Sequence, residues 1–149
     1  MSDSFRLLLR VRYSECDAQG IVFNARYGEY MDVASCEYSR AVFGSVDGST
    51  GIDWRLVRQV TEWKAPARFD DVIEIAVGTQ HIGTTSFSLS AHFRRPSDGT
   101  LLATMETVYV VVDAQSGEKK PIPDRHRSAL QQGALGVVVD MAAAAHGSH

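Results

Sequence analysis

Alternating apolar and polar residues predict strands along most of the chain. From Phe5 to Tyr13, apolar side chains occupy every second position, and arginines fill three of the four positions between them. A period of two indicates a strand with one buried face. Alternation or a run of apolar residues predicts four further strands, over residues 53–69, 71–79, 85–94 and 101–113. Pro66 must end or edge the first of these, because proline has no amide hydrogen to donate.

A helical period replaces the alternation between the first two predicted strands. Apolar residues recur there at spacings of three and four, at Tyr27, Tyr30, Met31, Ala34, Tyr38 and Ala41. This spacing predicts one helix of about four to five turns with a single apolar face. The glycine-containing segment "FGSVDGSTGID", residues 43–53, is predicted to be a loop. Near the C-terminus, Asp124 is predicted to cap a short helix that begins at about Arg125.

The order of these elements predicts an α+β fold in one domain. One helix is too little to cover both faces of a sheet, so we expect antiparallel strands that curl around it. We assign this domain to residues 1–140. Residues 141–149 are a low-complexity tail, and its last three residues, "GSH", are typical of an expression-vector remnant.

Composition narrows the classes of function. The 149 residues are 44% hydrophobic and 22% charged, as in ordinary globular proteins, and the net charge of -3 disfavours a general nucleic-acid binder. No apolar run reaches the roughly 20 residues of a membrane span, and the first residues lack a signal-peptide core. We therefore expect a cytoplasmic protein without membrane contact. The two cysteines have no CxxC spacing and the five histidines have no ligand spacing, so we expect no metal site.

Motifs for several common chemistries are missing from the sequence. It contains no GxGxxG after a strand, no GxxxxGK(S/T), no HExxH and no GxSxG. Dinucleotide, nucleotide, zinc-protease and serine-hydrolase functions therefore lose their main support. We expect no cofactor.

Asp17 is the most informative polar residue, in the stretch "YSECDAQGIVF" before the predicted helix. As a structural residue it would form a turn or cap the helix, which is the common behaviour of aspartate in such loops. As a functional residue it would lie near the unpaired N–H groups of a helix N-terminus, which can hold negative charge on an attacked carbonyl oxygen. A carboxylate with such donors is a minimal site for acyl hydrolysis. Both interpretations are compatible with these residues.

Three stretches of the sequence resemble one enzyme family. They are "YSECDAQGIVFNARYGEYMDVAS", "WKAPARFDDVIEIAV" and "GTTSFSLSAHF". They are similar to the 4-hydroxybenzoyl-CoA thioesterase family of hotdog-fold acyl-CoA thioesterases, and the resemblance runs from about Phe5 to Asp113. Its most specific part is the signature D-x-x-G-(I/V)-V-(F/W/Y), filled by Asp17, Gly20, Ile21, Val22 and Phe23, with Tyr27 downstream.

The resemblance implies a hotdog fold, a curved antiparallel sheet wrapped around a long central helix, and an acyl-CoA substrate. It implies that Asp17 is the catalytic carboxylate, as nucleophile or as general base, and that the backbone N–H of Asn24 polarises the thioester carbonyl. It places Asp32 toward a hydroxyl group on the acyl ring. The other expected substrate contacts are Gly20, Val22, Phe23 and Tyr27, with Thr84, Thr85 and Ser86 toward the CoA phosphates. A homodimer or homotetramer is also implied, and it would cover the strand edges that one curved sheet leaves unpaired.

Some positions depart from the family pattern. Asn24 stands where many relatives carry histidine or an aromatic residue, so a histidine-assisted mechanism is not expected. Gln19 replaces a residue that is usually small. The segment "QHIGTTSF", residues 80–87, lacks the basic residues that some relatives direct at the CoA phosphates. Asp32 could equally be a solvated residue on the polar side of the helix.

Two other functions stay open, because a fold does not fix a function. A thioesterase for acyl groups bound to a carrier protein would need a basic docking surface. A non-catalytic acyl-CoA-binding protein would keep the pocket and bind acyl-CoA without releasing thiol. The acyl group itself is not identified by the sequence.

Overall fold

The computed structural model describes residues 3–46 and 49–142. Within these ranges the strands are β1 (Phe5–Arg10), β2 (Ile52–Trp63), β3 (Val72–Ile82), β4 (Ser86–Arg95), β5 (Thr100–Asp113) and β6 (Val138–Asp140). The helices are α1 (Arg26–Phe43) and α2 (Asp124–Gln132), and a short 3₁₀ turn spans Tyr13–Glu15. Residues 47 and 48 of the predicted loop, and residues 143–149 of the predicted tail, lie outside the described residues.

The strands form one sheet in the order β2-β5-β4-β3-β1-β6. Four of the neighbouring pairs are antiparallel, and β6 runs parallel to β1. Along β3 and β4 every second side chain enters the core, and Ile73, Ile75 and Phe93 are fully buried, as the period of two predicts. The predicted α+β class, with a mainly antiparallel sheet, is confirmed.

Helix α1 buries its apolar face against this sheet. The ring of Tyr38 meets Phe5 of β1 edge-on at 5.3 Å between centroids, and the ring of Tyr27 meets Phe93 of β4 at 5.4 Å. Edge-on aromatic pairs add to the stabilisation from apolar burial. The helix ends at Gly44, whose φ of 81° is left-handed, a conformation that glycine adopts without steric cost. The predicted helix is therefore confirmed.

Strand β1 ends at Arg10, before the predicted boundary at Tyr13. The amide of Arg12 donates to the carboxylate of Glu15 over 2.8 Å and begins the 3₁₀ turn. Tyr13 is consequently turned out of the sheet and is 81% exposed. The prediction is wrong here because a local bond between side chain and backbone replaces the strand ladder.

Two features near the C-terminus also differ from expectation. Asp124 is the first residue of α2 and not its N-cap, which is Pro123, and no side chain caps this helix. Strand β6 was not predicted, because three residues are too few to show a period. It is held by its pairing with β1, which the amide of Met141 extends by donating to the carbonyl of Leu8 over 2.8 Å.

His126 of α2 is buried without full hydrogen bonding. Its side chain is 4% exposed, its ring lies 5.2 Å from the ring of Phe43, and its Nδ1 has no hydrogen-bond partner within the described part of the chain. Burial, together with the charges of Arg125 and Lys120, lowers the pKa of His126 from its ordinary value of 6.5.

We predict that His126 makes the protein less stable in mild acid. The unfolded chain takes up a proton on this histidine near pH 6.5, whereas the folded chain takes it up only at lower pH. The contribution of His126 to the free energy of unfolding should therefore be constant above about pH 6.5. It should fall as the pH drops from 6.5 toward the lower pKa of the folded chain. Urea midpoints at about pH 8 and about pH 5.5 should differ more for the parent than for His126→Phe. An equal difference in both proteins would contradict the prediction.

Candidate active site

A tight loop connects the 3₁₀ turn to α1. The amide of Asp17 donates to the carbonyl of Ile21 over 2.8 Å, and the amide of Gly20 donates back to the carbonyl of Asp17 over 3.0 Å. Gly20 has a φ of 76°, which explains the need for glycine at this position. The amide of Phe69 donates to the carbonyl of Gly20 over 3.1 Å, so the loop is tied to the segment that precedes β3.

The carboxylate of Asp17 is exposed on this loop. Its Oδ1 accepts the amides of Gln19 at 2.8 Å and Ile21 at 3.3 Å, which is the geometry of an aspartate-stabilised turn. No donor in residues 3–46 or 49–142 occupies Oδ2. Asp17 therefore forms the turn with one oxygen and leaves the other available to a substrate or to water.

The first backbone groups of α1 lie at the other end of the same loop. The amide of Phe23 donates to the carbonyl of Glu15, and the amides of Arg26 and Tyr27 donate to the carbonyls just before the helix. The exposed backbone N–H groups of Asn24 and Ala25 have no acceptor among the described residues, and Ala25, the N-cap, supplies no capping side chain. These groups are the donors that a helix N-terminus leaves for solvent or a ligand.

A buried carboxylate lies between these two groups. Glu15 is 3% exposed, and its side chain accepts four hydrogen bonds: from the Arg12 amide, Arg12 Nε and Arg12 Nη2, at 2.8, 2.8 and 2.6 Å, and from the Tyr30 hydroxyl at 2.8 Å. Burial opposes ionisation, but the hydrogen bonds from Arg12 and Tyr30 outweigh it and lower the pKa of Glu15. Sequence reasoning missed this network, although the spacing R-x-x-E before the loop was its available signal.

Two concave surfaces adjoin the loop. The first, about 470 Å³, is lined by Tyr13, Ser14, Cys16, Asp17, Ala18, Gly20 and Phe69. The second, about 540 Å³, is called the acyl groove below and is lined by Leu9, Arg10, Val11, Arg12, Tyr13, Glu15, Tyr30, Val33, Phe69, Asp70, Met141 and Ala142. The two share Tyr13 and Phe69, whose rings meet edge-on at 6.0 Å. These two rings therefore border both the groove and the surface that carries Asp17.

The predicted substrate contacts within the signature have different environments. Phe23 is exposed, and Gly20 lines the surface beside Asp17. Val22 and Tyr27 are buried in the core, and burial raises the pKa of Tyr27 to about 12. Contact of Val22 and Tyr27 with a substrate stays a prediction.

Asp32 is exposed on α1, one residue before Val33 of the acyl groove. Neighbouring protein atoms remove part of the water around this otherwise exposed carboxylate and, with the nearby charge of Glu29, raise the pKa of Asp32. Asp32 itself does not line the groove. Contact between this carboxylate and an acyl ring stays a prediction.

Thr84, Thr85 and Ser86 lie at the turn between β3 and β4, far from Asp17. The Asp17 loop contacts the chain just before β3 begins, through a bridge between Ile21 and Arg68, whereas this turn follows the other end of β3. The 11 residues of β3 span roughly 36 Å at ~3.3 Å per residue. One chain therefore does not bring the predicted phosphate contacts together with Asp17.

Three arginines are closer to the Asp17 loop. Arg26 Nη2 donates to the carbonyl of Ser14 over 3.3 Å, and Arg12 lines the acyl groove. The backbone of Arg68 pairs with that of Ile21. Guanidinium groups are suited to phosphate recognition. Their positions were not apparent from the sequence, because they are distant from one another along the chain.

Two other features are absent from the described residues. No cluster of histidine, cysteine, aspartate or glutamate suited to a metal ion occurs in the described ranges. No described helix has the length and apolarity needed to cross a bilayer.

Comparison with known proteins identifies the family. The model of the Thioesterase-like superfamily matches residues 11–130, which include the Asp17 loop, α1 and most of the sheet. The chain belongs to this superfamily. The predicted enzyme class, a thioester hydrolase, is thereby confirmed.

Individual relatives agree with this assignment. The acyl-CoA thioester hydrolase YbgC of Escherichia coli is 28% identical over 121 residues, covering 80% of this chain and 90% of the relative. The structure of BH1999, a gentisyl-coenzyme A thioesterase, superposes with a TM-score of 0.74 at 26% identity, covering 84% of this chain and 98% of that one. Slr0204 of Synechocystis, a 1,4-dihydroxy-2-naphthoyl-CoA thioesterase, shares the fold, with a TM-score of 0.77 at 19% identity over 86% of this chain and 96% of that one.

Proposed function

We propose that this chain hydrolyses acyl-CoA thioesters, with Asp17 as the catalytic carboxylate and the backbone N–H of Asn24 as the oxyanion donor. One observation carries the proposal. A carboxylate oxygen without a donor and helix N–H groups without an acceptor, counted over the described residues, lie on the two arms of one loop. The arms are held side by side by the pairing of Cys16 with Val22 and by the bond between the Phe23 amide and the Glu15 carbonyl. The relationship to YbgC supports the same class of substrate.

Two reaction routes are compatible with this arrangement. As general base, Asp17 takes a proton from water while the water oxygen attacks the thioester carbon. The negative charge that forms on the carbonyl oxygen is stabilised by the Asn24 N–H. The C–S bond then breaks, and the CoA thiolate takes up a proton as the free acid is released. As nucleophile, Asp17 instead forms a mixed anhydride and expels CoA thiolate, and water hydrolyses the anhydride.

We place the acyl group of the substrate in the groove lined by Val33 and Met141, which is why it is called the acyl groove. Its volume lies within the range of roughly 300–1,000 Å³ typical of ligand sites, and much of its lining is apolar. The similarity to BH1999 makes hydroxylated aroyl-CoA, a substrate class of the 4-hydroxybenzoyl-CoA thioesterase family, the first to test. The carboxylate of Asp32, next to Val33 on the helix, would then accept a hydrogen bond from the ring hydroxyl.

For the CoA phosphates we favour the arginines near the loop, Arg12, Arg26 and Arg68. Within one chain, Thr84, Thr85 and Ser86 are too distant from Asp17 to contact the same substrate. They would contact the CoA phosphates only from a second copy of the chain.

The second copy is expected along β2, at one edge of the sheet. This strand exposes apolar side chains at Leu56, Val57, Val60 and Trp63. An apolar edge strand with free backbone groups favours pairing with another strand. We propose a cytoplasmic homodimer or homotetramer of hotdog subunits, each with its sheet curved around α1, and no cofactor.

We predict that Asp17→Asn lowers kcat by at least about 10²-fold, because the amide keeps the shape but loses the basicity. Acyl-CoA binding should survive. The matched control is Asp113→Asn, since Asp113 Oδ1 also accepts two amides in a turn, at 2.9 Å each, but lies at the end of β5. Thiol release, acyl-CoA binding and melting temperature are measured for both variants. Turnover near the parent value in folded Asp17→Asn would reject the catalytic role.

The same assays separate the rival functions. Hydrolysis of carrier-protein esters with poor rates on free CoA esters would favour a carrier-protein thioesterase. Tight acyl-CoA binding by the parent without thiol release would identify a non-catalytic binding protein.

Neighbouring variants on α1 test the acyl site. Asp32→Ala should raise KM for hydroxylated aroyl-CoA and spare aliphatic esters, because only the former loses a charge-assisted hydrogen bond. Val33→Trp should lower kcat/KM for bulky acyl groups and spare acetyl-CoA, because it fills the acyl groove. Initial rates with hydroxybenzoyl-, benzoyl-, octanoyl- and acetyl-CoA provide the comparison. Equal effects of either variant on all four esters would contradict its assigned contact.

Light scattering at micromolar concentration should give the mass of two or four chains. Val60→Lys should shift the mass toward one chain, since it places a charge on the apolar edge of β2. Val138→Lys, similarly exposed on β6 at the opposite edge, should leave the mass unchanged. A parent mass of one chain would overturn the assembly, and an equal effect of both lysines would overturn the choice of β2.

A further inference from the structure

The Glu15 network connects three separate parts of the candidate site. Its carboxylate binds Arg12, at the end of the segment that follows β1, and Tyr30, on the second turn of α1. Its own backbone carbonyl accepts the amide of Phe23, the residue before Asn24. Asp17 follows Glu15 by only two residues. One residue is thus bonded to both arms of the loop and to the helix.

The chemistry of a buried charge makes these bonds strong constraints. A carboxylate removed from water is costly unless its oxygens are hydrogen-bonded, and here four donors satisfy them. Any movement of the loop relative to α1 that breaks the bond to Tyr30 leaves this buried charge less well compensated. The loop and the helix are therefore expected to move together or not at all.

We propose that Glu15, held by Arg12 and Tyr30, is a positioning residue that fixes Asp17 relative to the backbone N–H of Asn24. The proposal rests on the function proposed above. Although Glu15 lines the acyl groove, its carboxylate oxygens are occupied by four protein donors, so Glu15 does not act on the substrate itself. Its effect on the rate comes through geometry, because acyl transfer requires the attacking group and the oxyanion donor to be aligned with the same carbonyl. Small displacements of either group lower the rate steeply.

Two tyrosines of α1 offer a matched test. Tyr30 and Tyr38 are two turns apart, are 4% and 2% exposed, and each makes one side-chain hydrogen bond of 2.8 Å through its hydroxyl. The partner of Tyr30 is Glu15, whereas the partner of Tyr38 is Thr79 of β3, away from the site. Replacing either by phenylalanine removes one buried hydrogen bond and keeps the aromatic packing.

Both variants should be less stable than the parent: Tyr38→Phe should lower the melting temperature by roughly 2–4 °C, and Tyr30→Phe by more, because its bond is to a buried charge. Only Tyr30→Phe should lose turnover, with kcat reduced about tenfold and KM within about twofold of the parent, since the bond affects alignment and not ground-state binding. Glu15→Gln, which keeps the size of the side chain but not its charge, should lower kcat further. In an Asp17→Asn background, Tyr30→Phe should cause no additional loss, because the group to be positioned is already gone.

Four results would overturn the positioning role. They are an equal loss of kcat in both tyrosine variants, a loss confined to KM in Tyr30→Phe, normal kcat in folded Glu15→Gln, and an undiminished effect of Tyr30→Phe in the Asp17→Asn background. A failure of the proposed function has a different signature, full turnover in Asp17→Asn alone, and would remove the positioning role with it.

Discussion

The structure depends first on the seating of α1 against the sheet through its tyrosines. Tyr38 packs on Phe5 of β1 and Tyr27 packs on Phe93 of β4, so the helix is anchored on two strands that are not neighbours. A shift of the helix along its axis would break both contacts and expose the apolar surface beneath them. Because the helix cannot move freely, the N–H groups at its first turn have a defined position, and the loop before it must be built around that position.

The loop meets this constraint with a buried charge in addition to the apolar packing of Val22. Between the 3₁₀ turn and α1 there are too few residues to form a core of their own, and Glu15 instead connects Arg12 to Tyr30. A buried carboxylate paired in this way contributes little net stability but resists partial disruption, because the loss of one partner leaves an uncompensated charge. The arrangement is suited to fixing the geometry of a site, and less suited to holding a fold together.

Periodicity in the sequence predicted the elements that bury a regular face. The helix α1 and the strands β3, β4 and β5 follow from alternation or helical spacing, because their burial repeats with the backbone. Tyr13 and β6 did not follow, since the first depends on the local bond between Arg12 and Glu15 and the second on pairing with a strand far away in the chain. Asp124 begins α2 without capping it. For the candidate site, the resemblance pointed to Asp17, Gly20 and Asn24, whose roles stay predictions, whereas the partners of Glu15 and the distance to Thr84 depend on tertiary structure. Contacts between residues far apart in the chain leave no period in the sequence.

The structural and the chemical interpretation of Asp17 are compatible in this loop. The amides of Gln19 and Ile21 hold Oδ1, so the carboxylate cannot rotate freely, and Oδ2 keeps a fixed direction relative to the backbone. An exposed aspartate without those bonds would sample several rotamers. Fixing one of them for the reaction would cost conformational entropy and lower the rate. Gly20 allows the turn to close tightly enough for both amides to reach the same oxygen. The turn that makes Asp17 look structural is therefore a means by which the fold would orient a reactive oxygen.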